Sequence, residues 1–184
     1  MHPPSDPDRA LLNAIAQGDT HALEALYVQH GLRLLHYLVG QLGDPALAEE
    51  VLQDVMLAIW QQARRFRGES RVTTWMLAIA RHHAISARRR QKAPPGILPD
   101  HAVSSAPPPL DTLIRRDECE AVREALHSLP DDQRETLELV FYHGLSGPEA
   151  ARVLGVAHGT VKSRLHRAKA SLQKLLSIEE KNDA

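Results

Sequence analysis

Apolar residues recur at intervals of three and four along most of this 184-residue chain. Ala48, Val51, Leu52, Val55 and Ile59 form one such stripe, and Val72, Trp75, Met76, Ile79 and His83 form another. That spacing places each set on one face of a helix packed against a core. The pattern predicts helices near residues 8–17, 19–40, 44–64 and 70–92, then near 111–127, 130–143, 146–154 and 158–177. The residues between the stripes agree. Asp19 and Asp44 suit N-caps, and Pro45 suits a first helical position. Pro130 can open a helix and Gly144 can close it. Ser146 and Glu149 have the spacing of a capping box, with Pro148 tolerated in the first turn, and Gly155 ends that short helix. No strong run of alternating β-branched residues interrupts the pattern, so the expected fold class is all-α.

The helical pattern breaks once, from Ala93 to Leu110. This stretch holds Pro94, Pro95, Pro99, Pro107, Pro108 and Pro109 together with Gly96, Ser104 and Ser105. Proline removes backbone donors and clashes with helix, and the stretch has little apolar material to bury. An extended tether is expected over 93–110, with one small helical domain before it (8–92) and a second after it (111–178). No internal repeat is present.

In the second domain, a short helix, a tight turn at Gly155 and a longer basic helix make the pattern of a DNA-reading helix-turn-helix. Ala150, Ala151, Leu154 and Val156 supply small and apolar residues for the helix crossing. On the longer helix, Val161, Leu165, Ala168 and Leu172 fall within about 60° of one another at 3.6 residues per turn. The opposite face then carries Lys162, Ser163, His166 and Arg167, residue types that reach phosphates or base edges in a major groove. The alternative for such a face is a solvated basic surface on an ordinary helical hairpin. Ala157, at the expected N-cap of the longer helix, is a poor cap, which leaves the first amides available to a phosphate.

Charge sharpens this picture through its distribution. The 22 Lys and Arg nearly balance the 23 Asp and Glu, which argues against a generic basic nucleic-acid binder. Yet 81–92 and 158–174 each carry five basic residues and no acid, while 44–56 carries four acids and no base. Over 111–138 acids outnumber bases nine to four. Separated blocks of opposite sign point to separate partners. The single cysteine, Cys119, precludes an intrachain disulfide and suits a reducing cytosol. The polar, Pro-rich start of the chain has no apolar signal segment. No apolar stretch approaches the roughly 20 residues of a membrane span, so a cytoplasmic location without membrane insertion is expected.

The eleven histidines do not form metal-ligand spacings. His82 and His83 are adjacent and point to different sides of a helix, His158 and His166 lie two turns apart, and Cys119 has no neighbouring ligand cluster. His83, on an apolar stripe, reads as a core histidine. No Gly-x-Ser-x-Gly elbow or phosphate-cradling glycine loop is present, and neither a catalytic site nor a cofactor is expected.

Two long segments carry a resemblance to a known family. They are DPALAEEVLQDVMLAIWQQARRFRGESRVTTWMLAIARHHAISARRRQ, Asp44 to Gln91, and LPDDQRETLELVFYHGLSGPEAARVLGVAHGTVKSRLHRAKASL, Leu129 to Leu172. With Asp19 to Leu42, they resemble the small extracytoplasmic-function sigma factors of the bacterial sigma-70 family over most of the chain outside the tails and tether. The resemblance implies a non-enzymatic subunit that binds core RNA polymerase and directs it to promoter DNA. The first domain would dock on clamp helices of the largest polymerase subunit through Glu49, Gln53, Asp54, Leu57 and Trp60. It would also open the minus-ten element and hold an unstacked base, using Arg71, Thr74, Trp75, His82, Arg88, Arg89 and Arg90. The second would read the minus-thirty-five element through Thr160, Lys162, Ser163, Arg164, His166 and Arg167 and touch the polymerase flap, the tether threading toward the active-site channel. An anti-sigma partner is implied as well. Two positions depart from the family pattern. His82 stands where members often carry Asn, which changes the hydrogen bonds offered to a base. Ala157 stands where a Ser-like cap is usual. The alternatives are a helix-turn-helix regulator acting without core polymerase and a helical adaptor that binds only protein. The acidic Asp44–Trp60 helix discriminates, because an independent repressor has no need of it.

Overall fold

The computed structural model describes residues 6–92 and 125–182, with the side chains of residue 92 and residues 176–182 left aside. The expected tether at 93–110, and the expected helix at 111–127 apart from its last turn at 125–127, lie outside the described residues. The chain divides into two compact units, residues 1–106 and 107–184. Among the described residues there are helices and turns and no strand.

In the first unit, α1 (Asp8–Ala16), α2 (Thr20–Leu42), α3 (Pro45–Gln62) and α4 (Val72–Lys92) pack on one another. Local chemistry sets their starts. The Asp19 carboxylate accepts from the amides of His21 and Ala22 at 2.9 and 3.2 Å, and Asp44 accepts from those of Ala46 and Leu47 at 2.9 and 3.3 Å. Each satisfies amides that no helical carbonyl can reach. All five residues of the α3 stripe are buried, against Leu26, Leu34, Tyr37 and Leu38 of α2 and Met76 and Leu77 of α4. A 3-10 turn, Ala63–Arg65, leads out of α3 into the loop before α4.

In the second unit, α5 (Asp131–Leu137), α6 (Gly147–Leu154) and α7 (His158–Asn182) follow the turn at 125–127. The helix expected to run unbroken over 130–143 instead widens into a π turn over Glu138–Tyr142, where His143 N donates to Glu138 O at 3.0 Å. This end of the helix leaves Phe141 and Tyr142 exposed. The expected capping box forms, Glu149 Oε2 accepting from Ser146 N at 2.9 Å. Gly155 adopts φ 67°, the left-handed conformation that lets Val156 N turn back to Ala151 O at 3.1 Å and stop α6. Leu129, Leu137 and Ala168 form one buried core cluster, with Leu126, Leu165 and Leu172 packed against it.

Candidate nucleic-acid and polymerase interfaces

On α7, Val161 and Ala168 are fully buried, while Lys162, Ser163, His166 and Arg167 are exposed. The apolar stripe therefore pins the helix and turns these four side chains outward together. Ser163 Oγ donates to Thr160 O at 2.9 Å, and Arg167 Nε to Ser163 O at 3.3 Å. The second bond uses one of the five guanidinium donors of Arg167. Thr160 is partly buried. Arg164 departs from the expected set. Its Nε lies 3.0 Å from Asp132 Oδ2 and its side chain is 18% exposed. It sits one turn after Val161 at the border of the buried stripe, beside the acidic start of α5, and the ion pair braces α7 instead of presenting a free cation. Lys169 Nζ stands 5.2 Å over the Phe141 ring, a cation–π contact on the same unit.

Arg71, just before α4, and His82, Arg89 and Arg90 on it are exposed, and Arg88 is partly buried. Thr74, expected at the minus-ten surface, is 2% exposed. The first half of α4 is enclosed by α1, α2 and α3 together, so even positions off the apolar stripe turn into the core. Trp75 is partly exposed, and its ring packs on Phe66 at 5.3 Å between centroids, tilted by 56°. The ring neighbour of His82 is His83, edge-on at 6.0 Å, and two turns of helix, about 10 Å, separate it from Trp75. His83 is half-buried instead of a full core residue. Burial holds its imidazole below the ordinary value by disfavouring the cation, Asp54 pulls the other way, and His82 and Arg90 add to the lowering.

The exposed position of His82 gives a test. His82→Asn is expected to leave the helical content and core binding intact while changing which minus-ten sequences melt. Open-complex formation on a library randomised at that element measures it, and an unchanged sequence profile would remove His82 from the DNA surface.

A third surface lies on α3 and α2. Glu49, Gln53 and Asp54 are exposed, Leu57 is 55% exposed, and Trp60 is partly buried. Beside them a groove of about 560 Å³ runs between the two helices, walled by Leu23, Leu35, Leu52 and Met56 and edged by Glu24 and Glu49. Tyr27, Val28 and Leu32 stand exposed on α2, which sequence reasoning passed over. The available signal was a run of apolar residues on α2 too wide for one buried stripe. The exposed arginines 64, 65 and 67 in the loop before α4 were also missed, although the string RRFRGESR carries them openly.

Among the described residues no group of three or more His, Cys, Asp or Glu is placed to hold a metal ion, and no helix is long and apolar enough to cross a membrane.

Comparison with known proteins adds to this geometry. The family description "Sigma-70 region 2" matches residues 26–93, and "Sigma-70, region 4" matches residues 119–172. The ECF RNA polymerase sigma factor SigM of Mycobacterium tuberculosis is 36% identical over 170 residues, covering 92% of this chain and 84% of that protein. Among solved structures, CnrH in complex with the cytosolic domain of CnrY is similar with a TM-score of 0.68 and 25% identity, covering 93% of this chain and 97% of that one. The sigma factor RpoE, in complex with the anti-sigma factor NepR from Bartonella quintana, is similar with a TM-score of 0.67 and 26% identity, covering 84% and 96%. Both units thus find the same relatives in the same order, and the chain belongs to the ECF sigma factors of the sigma-70 family.

Proposed function

We propose that the chain binds core RNA polymerase through α3, opens the minus-ten element with α4 and its preceding loop, and reads the minus-thirty-five element with α7. The carrying observation is that each of these helices buries one face in its own unit and leaves a chemically distinct face outside. α3 exposes Glu49, Gln53, Asp54 and Leu57, whereas α7 exposes Lys162, Ser163, His166 and Arg167. An acidic and apolar surface suits a protein partner, and a basic face with hydroxyl and imidazole groups suits DNA. In this reading residues 8–92 serve core binding and promoter melting, residues 111–178 serve upstream recognition, and 93–110 joins them. Arg71, Trp75, His82 and Arg88–Arg90 are assigned to the melted strand, and Thr74 and Arg164 to packing.

The reading is of a non-enzymatic initiation factor working in the cytoplasm beside polymerase and promoter. An anti-sigma partner is included because RpoE, similar over most of this chain, was solved with one. The acidic-edged groove between α2 and α3 offers apolar walls to either protein partner.

Asp54→Arg tests the polymerase surface. It is expected to weaken binding of core polymerase by about tenfold or more, since like charge across a complementary interface costs several kcal/mol. Helical content should be unchanged, because Asp54 is exposed. Undiminished capture of core by the variant would rule this surface out.

A further inference from the structure

The helix assigned to promoter melting begins at a residue that cannot cap it. Trp75 N donates to Arg71 O at 3.1 Å, the first bond of α4, which puts Arg71 in the N-cap position. Arginine has five donors and no acceptor, so its side chain cannot accept from the amides that follow. The missing acceptor comes from the other end of the unit. Asp6 Oδ2 accepts from Val72 N at 2.5 Å across 66 residues of sequence. Its second oxygen, Oδ1, accepts from Asp8 N at 3.2 Å at the start of α1. One carboxylate therefore accepts from the first amide of two helices, and its charge lies at the positive end of each.

Two further contacts tie α1 to the loop before α4. Arg64 Nε donates to Ala16 O at 2.7 Å, fixing the loop's start to the end of α1. The Arg9 guanidinium covers Gly68 so closely that a Cβ built there would lie 2.5 Å from Nη2 and 2.9 Å from Cζ. Gly68 sits at φ 72°, a left-handed backbone conformation that disfavours side chains. The loop is thus tied at its start by Arg64 and at its end by Asp6. It contains Phe66, which packs on Trp75, and Arg71.

We propose that Asp6 is a positioning residue for promoter opening: its carboxylate accepts from the first amide of α4 and, with Arg64 at the loop's start, holds the 63–71 loop and Trp75 in place for the unstacked strand. This rests on the assignment of α4 to promoter melting. Asp6 touches no DNA in this role and acts through the backbone of Val72.

The test uses the full chain with core polymerase and a promoter selected by the wild-type holoenzyme. Permanganate reactivity of minus-ten thymines reports opening, and core affinity is measured in parallel. Asp6→Ala is expected to reduce open complex about fivefold, the scale of a lost N-cap. Core affinity should stay unchanged, and a pre-melted template should restore activity. Asp6→Asn should recover most of the opening, because its amide oxygen can still accept from Val72 N. Wild-type opening by Asp6→Ala overturns the proposal, and so does a loss matched by core affinity or persisting on the pre-melted template. Trp75→Ala reports on the α4 assignment itself. Normal opening with that variant overturns the assignment and the proposal with it, whereas a loss there beside normal opening by Asp6→Ala overturns the brace alone.

Discussion

Replacing His30 by Ala is expected to destabilise the first unit by about 1–3 kcal/mol, the cost of leaving a buried polar group without its neighbour. Asp8 Oδ2 lies 2.9 Å from His30 Nε2, and their side chains are 5% and 8% exposed. The other Asp8 oxygen accepts from Gln29 Nε2 at 2.7 Å. Without the imidazole, that neutral amide is the side-chain donor left beside a carboxylate removed from water. Loss of the ring also opens a cavity between α1 and α2. At several degrees per kcal/mol for a unit of this size, the melting midpoint should fall by roughly 5–15 °C. Thermal and urea unfolding of the full chain, followed by helical signal, measures this. His30→Gln, which keeps a donor, should lose clearly less. A loss below about 1 kcal/mol for His30→Ala would mean that water replaces the imidazole at little cost and that α1 is held by its apolar residues Leu12 and Ile15 alone.

Arg167→Ala is expected to cost on the order of 1–3 kcal/mol in binding to the matched minus-thirty-five site and to relax selectivity at one base position. Arg167 is exposed on the α7 face opposite Val161 and Ala168, and its fork geometry suits two acceptors on one guanine. Lys162, one turn nearer the helix start, presents a point charge suited to phosphate. Lys162→Ala should weaken matched and scrambled sites alike and reduce the salt slope by about one. Titrations at several salt concentrations against both sites separate the two roles. Equal effects of the two substitutions on matched and scrambled DNA would defeat the division. Arg164→Ala, by contrast, acts first on the brace to Asp132, so its effect should appear in stability of the second unit.

Much of this was legible before any coordinates. The described helices lie close to where periodicity placed them, since an apolar stripe, an Asp cap and a following proline are all local signals. The α3 stripe is buried at every position, and Glu49, Gln53, Asp54 and Leu57 face outward as its complement. The same logic turned Lys162, His166 and Arg167 outward on α7. Periodicity divides a helix into one buried face and one exposed face, and it succeeds wherever a helix packs on one side only.

Tertiary structure decided the rest, and each exception has a contact that no period encodes. Thr74 is inside because α1, α2 and α3 enclose the start of α4 from several directions at once. Arg164 turns inward because Asp132 waits on another helix, and the last turn of the 130–143 helix widens where the chain turns toward α6. Asp6 drew no attention in a polar, proline-rich start, yet it accepts from the first amide of a helix 66 residues away. Sequence alone determined the helices, the outward faces of α3 and α7 and the family. Which polar side chains became part of the scaffold was settled only when distant helices met, because burial, ion pairing and capping across the unit depend on neighbours in space.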